Sequence, residues 1–252
     1  MTASLQISRR ERILHITLNR PEKRNALSFG LCRGLLDAFA EGARDTGIAV
    51  VLLDANGPSF CAGMDLDEVL APDASQYTTV HEELFTIGSR FPKPIVAAVH
   101  GAALGGGAGL VANAHIVVAA EEAQFGLTEI RLALWPFVVF RSVANAMGER
   151  RALELSLTGR LFGAAEAGQW GLVHYVVPAE KVREKAWEVA GLLASYSPSA
   201  VGRGLAFVHQ TRGLTREEAG LRASAAREEA FQSADFAEGV RAFRLRRKPR
   251  WD

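Results

Sequence analysis

Residues 94–110 read PIVAAVHGAALGGGAGL. Ile95 to Val99 is a short, continuous apolar run, the pattern of a strand buried on both faces. The stiff Pro92-Lys93-Pro94 precedes it, and small residues stand where the next helix should begin. Ile48 to Leu53 is a similar run, and shorter ones lie at Ile116 to Val118 and Val173 to Val177. Arg12 to Leu18 reads as a further strand. Ser28 is placed to cap a helix carrying Leu31, Leu35 and Phe39 on one face. Strands alternating with helices predict an α/β fold whose sheets are covered by helices. The last third differs. Lys181 to Ser195 sets Val182, Ala186, Val189 and Leu193 on one stripe. Thr215 and Glu218 form a capping-box pattern, and Phe236, Val240 and Phe243 mark a final helix. The expected division is an αβ core over residues 1–195 and a helical region over 196–252, used in packing and oligomerisation. No internal repeat is evident in the residues themselves.

The chain has 252 residues, 48% hydrophobic and 23% charged, which suits a folded chain with a sizeable core. Its net charge of +1 gives no bulk basic field for nucleic acid. No run of 18 apolar residues predicts a membrane span, and the start MTASLQISRRER has no apolar signal core. Two cysteines, Cys32 and Cys61, make neither a disulfide framework nor a four-ligand zinc site. A cytoplasmic location and no bound metal are expected.

Familiar motifs are approached and missed. Gly101 to Gly109 follows a strand, with Glu121 about twenty residues on, as in a dinucleotide fingerprint. Counted from Gly105, however, the third glycine position is Leu110. No Lys-Ser/Thr pair makes a P-loop. His81-Glu82 has Phe85 where a zinc protease has its second histidine. Gly57-Pro58-Ser59-Phe60-Cys61 lacks the closing glycine of a nucleophile elbow. The six histidines show no metal-ligand spacing.

Two segments share a physical role: Phe60-Cys61-Ala62-Gly63-Met64-Asp65-Leu66 and Leu104-Gly105-Gly106-Gly107-Ala108-Gly109-Leu110. Each follows a buried strand and opens a helix with small residues. Free backbone N–H groups at such a point favour negative charge, and two converging ones make an oxyanion hole. Tight helix–sheet packing would use glycines equally well. An acid or base must stand beside such a hole. Glu129, in Phe125-Gly126-Leu127-Thr128-Glu129-Ile130, sits among apolar neighbours. Partly buried, it would have a raised pKa and exchange a proton near neutrality; exposed, it would merely suit a helix dipole. The basic run Arg241, Arg244, Arg246, Arg247, Lys248 and Arg250 is either a solvated helix end or a contact for a phosphorylated ligand.

Taken in order, these pieces resemble the enoyl-CoA hydratase/isomerase (crotonase) superfamily over nearly the whole chain. Asn19 to Leu27 (NRPEKRNAL) is similar to its N-terminal CoA-side loop, 60–66 to its first oxyanion segment, and 94–109 to its second. Residues 125–130 are similar to its active-site acid segment. Leu157-Thr158-Gly159-Arg160, Ala164 to Ala167 and Gly171-Leu172-Val173 resemble the stretch that follows. The resemblance implies a crotonase-like spiral of ββα units with an α-helical C-terminal region, assembled as a homotrimer or a dimer of trimers. It implies an acyl-CoA thioester substrate, coenzyme A being part of that substrate and no further cofactor. It places the oxyanion N–H groups on Met64 and Gly106 and the acid/base on Glu129. Substrate contacts fall on Lys23, Arg24, Ala26, Leu27, Ala62, Asp65, Leu66, Gly109 and Lys248, the last from the same or a neighbouring subunit. No nucleic-acid or membrane partner is implied.

One departure bears on mechanism. Hydratases of this family carry two glutamates; Glu129 matches the second, and Gly109 stands at the first. The chain thus resembles the single-glutamate Δ3,Δ2-enoyl-CoA isomerases, which also tend to have a Pro-Phe pair like Pro136-Phe137. The expected reaction moves a double bond from 3-enoyl-CoA to 2-enoyl-CoA. Alternatives are hydration of 2-enoyl-CoA, another crotonase-type reaction such as thioester hydrolysis or C–C cleavage, and, in a different class, a non-catalytic acyl-CoA-binding subunit. On the isomerase reading, a Gly109→Glu exchange is expected to add hydration. Residues 70–91, with Ala71, Ser75, Tyr77 and His81, are expected to shape the acyl pocket.

Overall fold

The computed structural model describes residues 3–69 and 76–251. Among them are nine strands: β1 (Leu5–Arg10), β2 (Ile13–Leu18), β3 (Val50–Ala55), β4 (Ile95–Val99), β5 (Ala102–Leu104), β6 (Ile116–Ala120), β7 (Gln124–Gly126), β8 (Leu161–Gly163) and β9 (Tyr175–Val177). The helices are α1 (Phe29–Arg44), α2 (Leu66–Val69), α3 (Gln76–Phe85), α4 (Gly106–Asn113), α5 (Phe137–Met147), α6 (Glu149–Thr158), α7 (Ala164–Gln169), α8 (Val182–Ala194), α9 (Pro198–Gln210), α10 (Arg216–Phe231) and α11 (Ala234–Arg244). A six-stranded sheet runs β1-β2-β3-β4-β6-β9, and a three-stranded sheet runs β5-β7-β8.

The apolar runs become the central strands because both their faces are covered. β3 and β4 are buried throughout, and their neighbours pair in parallel, as crossover connections require. Ser28 caps α1, its Oγ accepting from the Leu31 N–H at 3.2 Å. The stripe Leu31, Leu35 and Phe39 is buried as the spacing predicts. α8 packs on β3, β4 and β6 through Val182, Ala186, Val189 and Ala190. Thr215 and Glu218 do form a capping box at α10. By contrast, α9 and α10 bury no residue fully, and α11 buries Ala242. No helix among the described residues is long and apolar enough to cross a membrane.

Several features were not legible in the residues, among them the short strands β5, β7 and β8 of the second sheet. β1 is paired antiparallel to β2, yet all but its first residue are exposed and it has no apolar alternation strong enough to announce it. There is also a repeat, of structure rather than of sequence. β3, β4 and β6 each give one strand to the large sheet, after which the chain turns into a second layer. In that layer Cys61 bridges Ala103, and Ala103 pairs with Phe125, all in parallel. Three successive turns of the spiral are therefore in register at 61, 103 and 125. The repeat is invisible in sequence because each turn buries different side chains in the same backbone path.

Candidate active site

That register brings three distant segments together. Counting three residues beyond 61 and 103 reaches Met64 and Gly106; four beyond 125 reaches Glu129. At Met64 the backbone makes a short parallel bridge to Leu27, whose N–H donates to the Gly63 carbonyl at 2.7 Å and whose carbonyl accepts from Asp65 N–H at 3.1 Å. Successive strand N–H groups point to opposite sides, so the Met64 N–H is turned away from Leu27. Gly106 is the first residue of α4, where a helix leaves its N–H groups without internal partners. The preceding Gly105 N–H is taken by the Gly126 carbonyl at 2.8 Å. Neither the Met64 nor the Gly106 N–H has a protein acceptor among the described residues. The two loops touch: a Cβ on Gly63 would stand 3.7 Å from Gly106 N and 3.0 Å from the Leu104 carbonyl oxygen. Gly63 also has φ +98°, which a residue with a side chain rarely adopts. Tight packing and free N–H groups thus coexist: Gly107 is pressed on the Cys61 carbonyl while Gly106 keeps its donor.

Glu129 opens a short 3₁₀ turn, 129–132, directly after β7. Its Oε1 would be 3.1 Å from a Cβ on Gly105, so the carboxylate lies against the glycine loop. Its Oε2 is buried without a hydrogen-bond partner. Burial pushes its pKa above the usual carboxylate range, opposed by its own backbone N–H. Beside it opens a cavity of about 400 Å³. Met64, Gly105, Gly106 and Glu129 form one end; Phe85, Leu132, Leu134, Trp135, Phe137 and Val139 make the apolar wall. Glu129 is the one carboxylate among the described lining residues. Both Pro136 and Phe137 line the cavity, as does His81, whose pKa is lowered by burial. Ala71 and Ser75 lie outside the described residues.

The loop at 19–27 is built around Asn25, which is fully buried with φ +55°. Its Oδ1 accepts from Arg20 N–H at 2.8 Å, and its Nδ2 donates to the Asn56 and Ser59 carbonyls, each at 2.8 Å. Arg20 also pairs with Asp65 at 2.9 Å. Leu27, Ala62 and Leu66 reach the cavity wall. Lys23, Arg24, Ala26 and Asp65 do not; Asp65 is committed to Arg20, and Lys23 to the exposed Asp67 at 2.8 Å. The Arg24 carbonyl accepts from Ala62 N–H, tying the loop to the segment 60–66. Lys248 is exposed beyond α11 and takes no part in the cavity of its own chain. Replacing Asn25 by Ala should cost about 2–4 kcal/mol, since it strips partners from buried backbone groups and leaves a left-handed φ to alanine. Urea unfolding checks this; a loss below about 0.5 kcal/mol, the level of an ordinary surface change, would contradict it.

Gly109 requires a correction. It is not in the cavity wall. A Cβ there would meet Phe85 Cδ1 at 2.9 Å and Cε1 at 3.1 Å, and Val139 Cγ1 at 3.1 Å. Two apolar lining residues fill the direction a side chain at 109 would take. Phe85 is held there from behind: its carbonyl accepts from Asn113 Nδ2 at 2.7 Å and from Ser142 Oγ at 2.5 Å. Phe85 falls within residues 70–91, the segment expected to shape the acyl pocket, but its packing against position 109 is not legible in sequence.

Two backbone N–H groups without a protein acceptor among the described residues, one buried carboxylate and an apolar chamber meet at this point. The chain matches the enoyl-CoA hydratase/isomerase family over residues 8–252. It is 34% identical over 254 residues to a 2,3-dehydroadipyl-CoA hydratase of Escherichia coli, covering 98% of each chain. It is 35% identical over 245 residues to a mevalonyl-coenzyme A hydratase of Aspergillus fumigatus, covering 95% of this chain and 91% of that one. A crystal structure of an enoyl-CoA hydratase from Mycobacterium smegmatis superposes with a TM-score of 0.93 at 30% identity, covering 99% of both chains. The chain belongs to the enoyl-CoA hydratase/isomerase family, the crotonase superfamily. It is an enzyme of that family, whose members act on acyl-CoA thioesters.

Proposed function

We propose that this enzyme shifts a double bond, converting 3-enoyl-CoA to 2-enoyl-CoA, with Glu129 as the lone acid/base. The observation that carries this reading is that Glu129 is the one carboxylate among the described residues of the cavity, together with Phe85 and Val139 filling the space beside Gly109. The Met64 and Gly106 N–H groups bind the thioester oxygen. Glu129 takes a proton from C2, and the electron pair moves into a dienolate whose charge rests on that oxygen. Glu129 then returns the proton to C4, which leaves the double bond between C2 and C3. One base suffices because both proton transfers occur on one face. The apolar wall supports this, since its described residues offer no second carboxylate to hold a water.

The names of the relatives favour a second reading, hydration of 2-enoyl-CoA. It needs a water held by Thr78, His81 or Thr128 instead of a second acid. A paired assay separates the two. Purified enzyme receives 3-hexenoyl-CoA in one arm and 2-hexenoyl-CoA in the other, with products resolved by mass and retention time. Isomerisation in the first with negligible hydration in the second is expected; efficient water addition in the second would sink the isomerase assignment. Coenzyme A binding near Lys23 and Arg24, with Lys248 supplied by a neighbouring subunit, belongs to the same reading. So does assembly as a homotrimer or dimer of trimers. It is supported by Leu221, Phe231 and Phe243, exposed on the C-terminal helices at 70%, 56% and 84%. Light scattering giving the 27.2 kDa of one chain would overturn that assembly.

A further inference from the structure

At the end of α4 remote from Gly106 lies a second cavity, of about 260 Å³, between α4, α5, the turn before β9, and α9. Its wall gathers residues that are far apart in sequence: His115, His174, His209 and Arg212, with Asn113 and Ser142. No Asp or Glu is among the described lining residues. The hydrogen bonds fix where two ring protons sit. His115 Nδ1 accepts from Ile95 N–H at 2.9 Å, and His174 Nδ1 accepts from Val117 N–H at 3.1 Å. Each of these rings therefore carries its proton on Nε2, as a donor. His115 Nε2 and both ring nitrogens of His209 are buried without a hydrogen-bond partner. The Gly88 carbonyl stands beside His115 and favours its protonated form, but outside hydrogen-bond geometry. Arg212 is exposed and makes no ion pair among the described residues.

Burial, then His209 and Arg212, hold His115 down to about 4; burial lowers His174, and burial with Arg212 lowers His209. At neutral pH the rings are uncharged donors, and the positive charge comes from Arg212. An unpaired buried N–H costs about 1–3 kcal/mol, so a cluster of them facing one space calls for an acceptor. Water could serve a single ring. The charge of Arg212, with three uncharged imidazoles as donors and no acid among the described lining residues, selects a negative one. The carbonyls at the α4 C-terminus oppose an anion, which makes the Arg212 charge indispensable.

We propose that this cavity is a binding site for a small oxyanion, phosphate or carboxylate, held by His115, His174, His209 and Arg212. It backs on the acyl chamber, because Asn113 and Ser142 in its wall are the residues that hold the Phe85 carbonyl.

The test is imidazole ¹⁵N NMR on the full chain at constant ionic strength, with inorganic phosphate in one arm and acetate in the other. Saturable shifts at His115 and His209, with the His115 pKa rising on binding, are expected in at least one arm. The tighter arm tells a tetrahedral anion from a planar one. Arg212→Gln, at an exposed position outside the catalytic cavity, should weaken binding about tenfold, the worth of one charge-assisted contact. The site is refuted if neither anion shifts the rings saturably, or if Arg212→Gln binds as tightly as the parent. Shifts that follow protein concentration rather than added anion would also refute it, as an acidic side chain from a second copy would produce them.

Discussion

Glu129→Gln should reduce kcat about 10²–10⁴-fold, the usual contribution of a positioned general acid/base, while leaving KM nearly unchanged. The exchange is nearly isosteric, keeps the turn at 129–132 and removes the one carboxylate among the described residues of the chamber. The Met64 and Gly106 N–H groups are backbone atoms and stay in place, so on the proposed reading the thioester should still bind. In the parent enzyme the rate should rise with pH as Glu129 ionises, with a midpoint above the usual carboxylate range because burial disfavours the charge. The same shift has a stability consequence of definite sign. A carboxyl whose folded pKa exceeds its unfolded one binds more protons in the folded state. Stability then falls as pH rises from the unfolded pKa through the folded one, and levels above it. The Gln variant escapes this loss. It should therefore gain in Tm relative to the parent at neutral pH, and the difference should close as pH drops below the unfolded pKa. Loss of activity together with relative gain in stability is the signature of a group strained for catalysis. A variant that kept full activity, or lost stability at neutral pH, would contradict the assignment.

What could be read in sequence follows from the kind of burial each segment has. β4 was read residue for residue, because a strand covered on both faces must be apolar throughout, and Ile95 to Val99 is. α1 was readable for a different reason: Ser28 and the Leu31, Leu35, Phe39 stripe specify its start and its inner face. β1 was not readable, since a strand paired along one edge and exposed on its surface is held by backbone hydrogen bonds that any side chains permit. The site divides in the same way. Glu129, Met64 and Gly106 are candidates through the resemblance of their segments to the family, and the structure gathers all three at one end of a cavity. The register of 61, 103 and 125 that gathers them is a property of backbone pairing and leaves no mark on residue type. Phe85 and the second, histidine-lined cavity are products of tertiary packing. His115, His174 and His209 have no local spacing, and they meet because β6, β9 and α9 meet.

In sequence, Gly109 reads as a simple loss of a carboxylate, reversible by putting one back. The packing argues for the opposite result. Gly109→Glu should destabilise the enzyme strongly and confer no hydration. Its Cβ alone would intrude on Phe85 and Val139 at 2.9–3.1 Å, and overpacking of this kind costs about 1–3 kcal/mol. The carboxylate beyond it would enter an apolar space with no cation in the described wall to pair with, which adds several kcal/mol or forces it to take up a proton. At 2–4 °C per kcal/mol for a chain of this size, Tm should fall by on the order of 10 °C or more. Asn113 and Ser142 fix the Phe85 backbone through its carbonyl, and its ring is buried beside Gly106. The informative comparison is therefore the double variant Gly109→Glu with Phe85→Ala, which removes the closest obstruction and should recover part of the lost Tm. Hydration of 2-enoyl-CoA, if it can be installed, should appear in the double variant and not in the single one. A stable single variant that hydrates efficiently would show that Phe85 yields readily, and the apolar wall would then no longer explain why one carboxylate works alone.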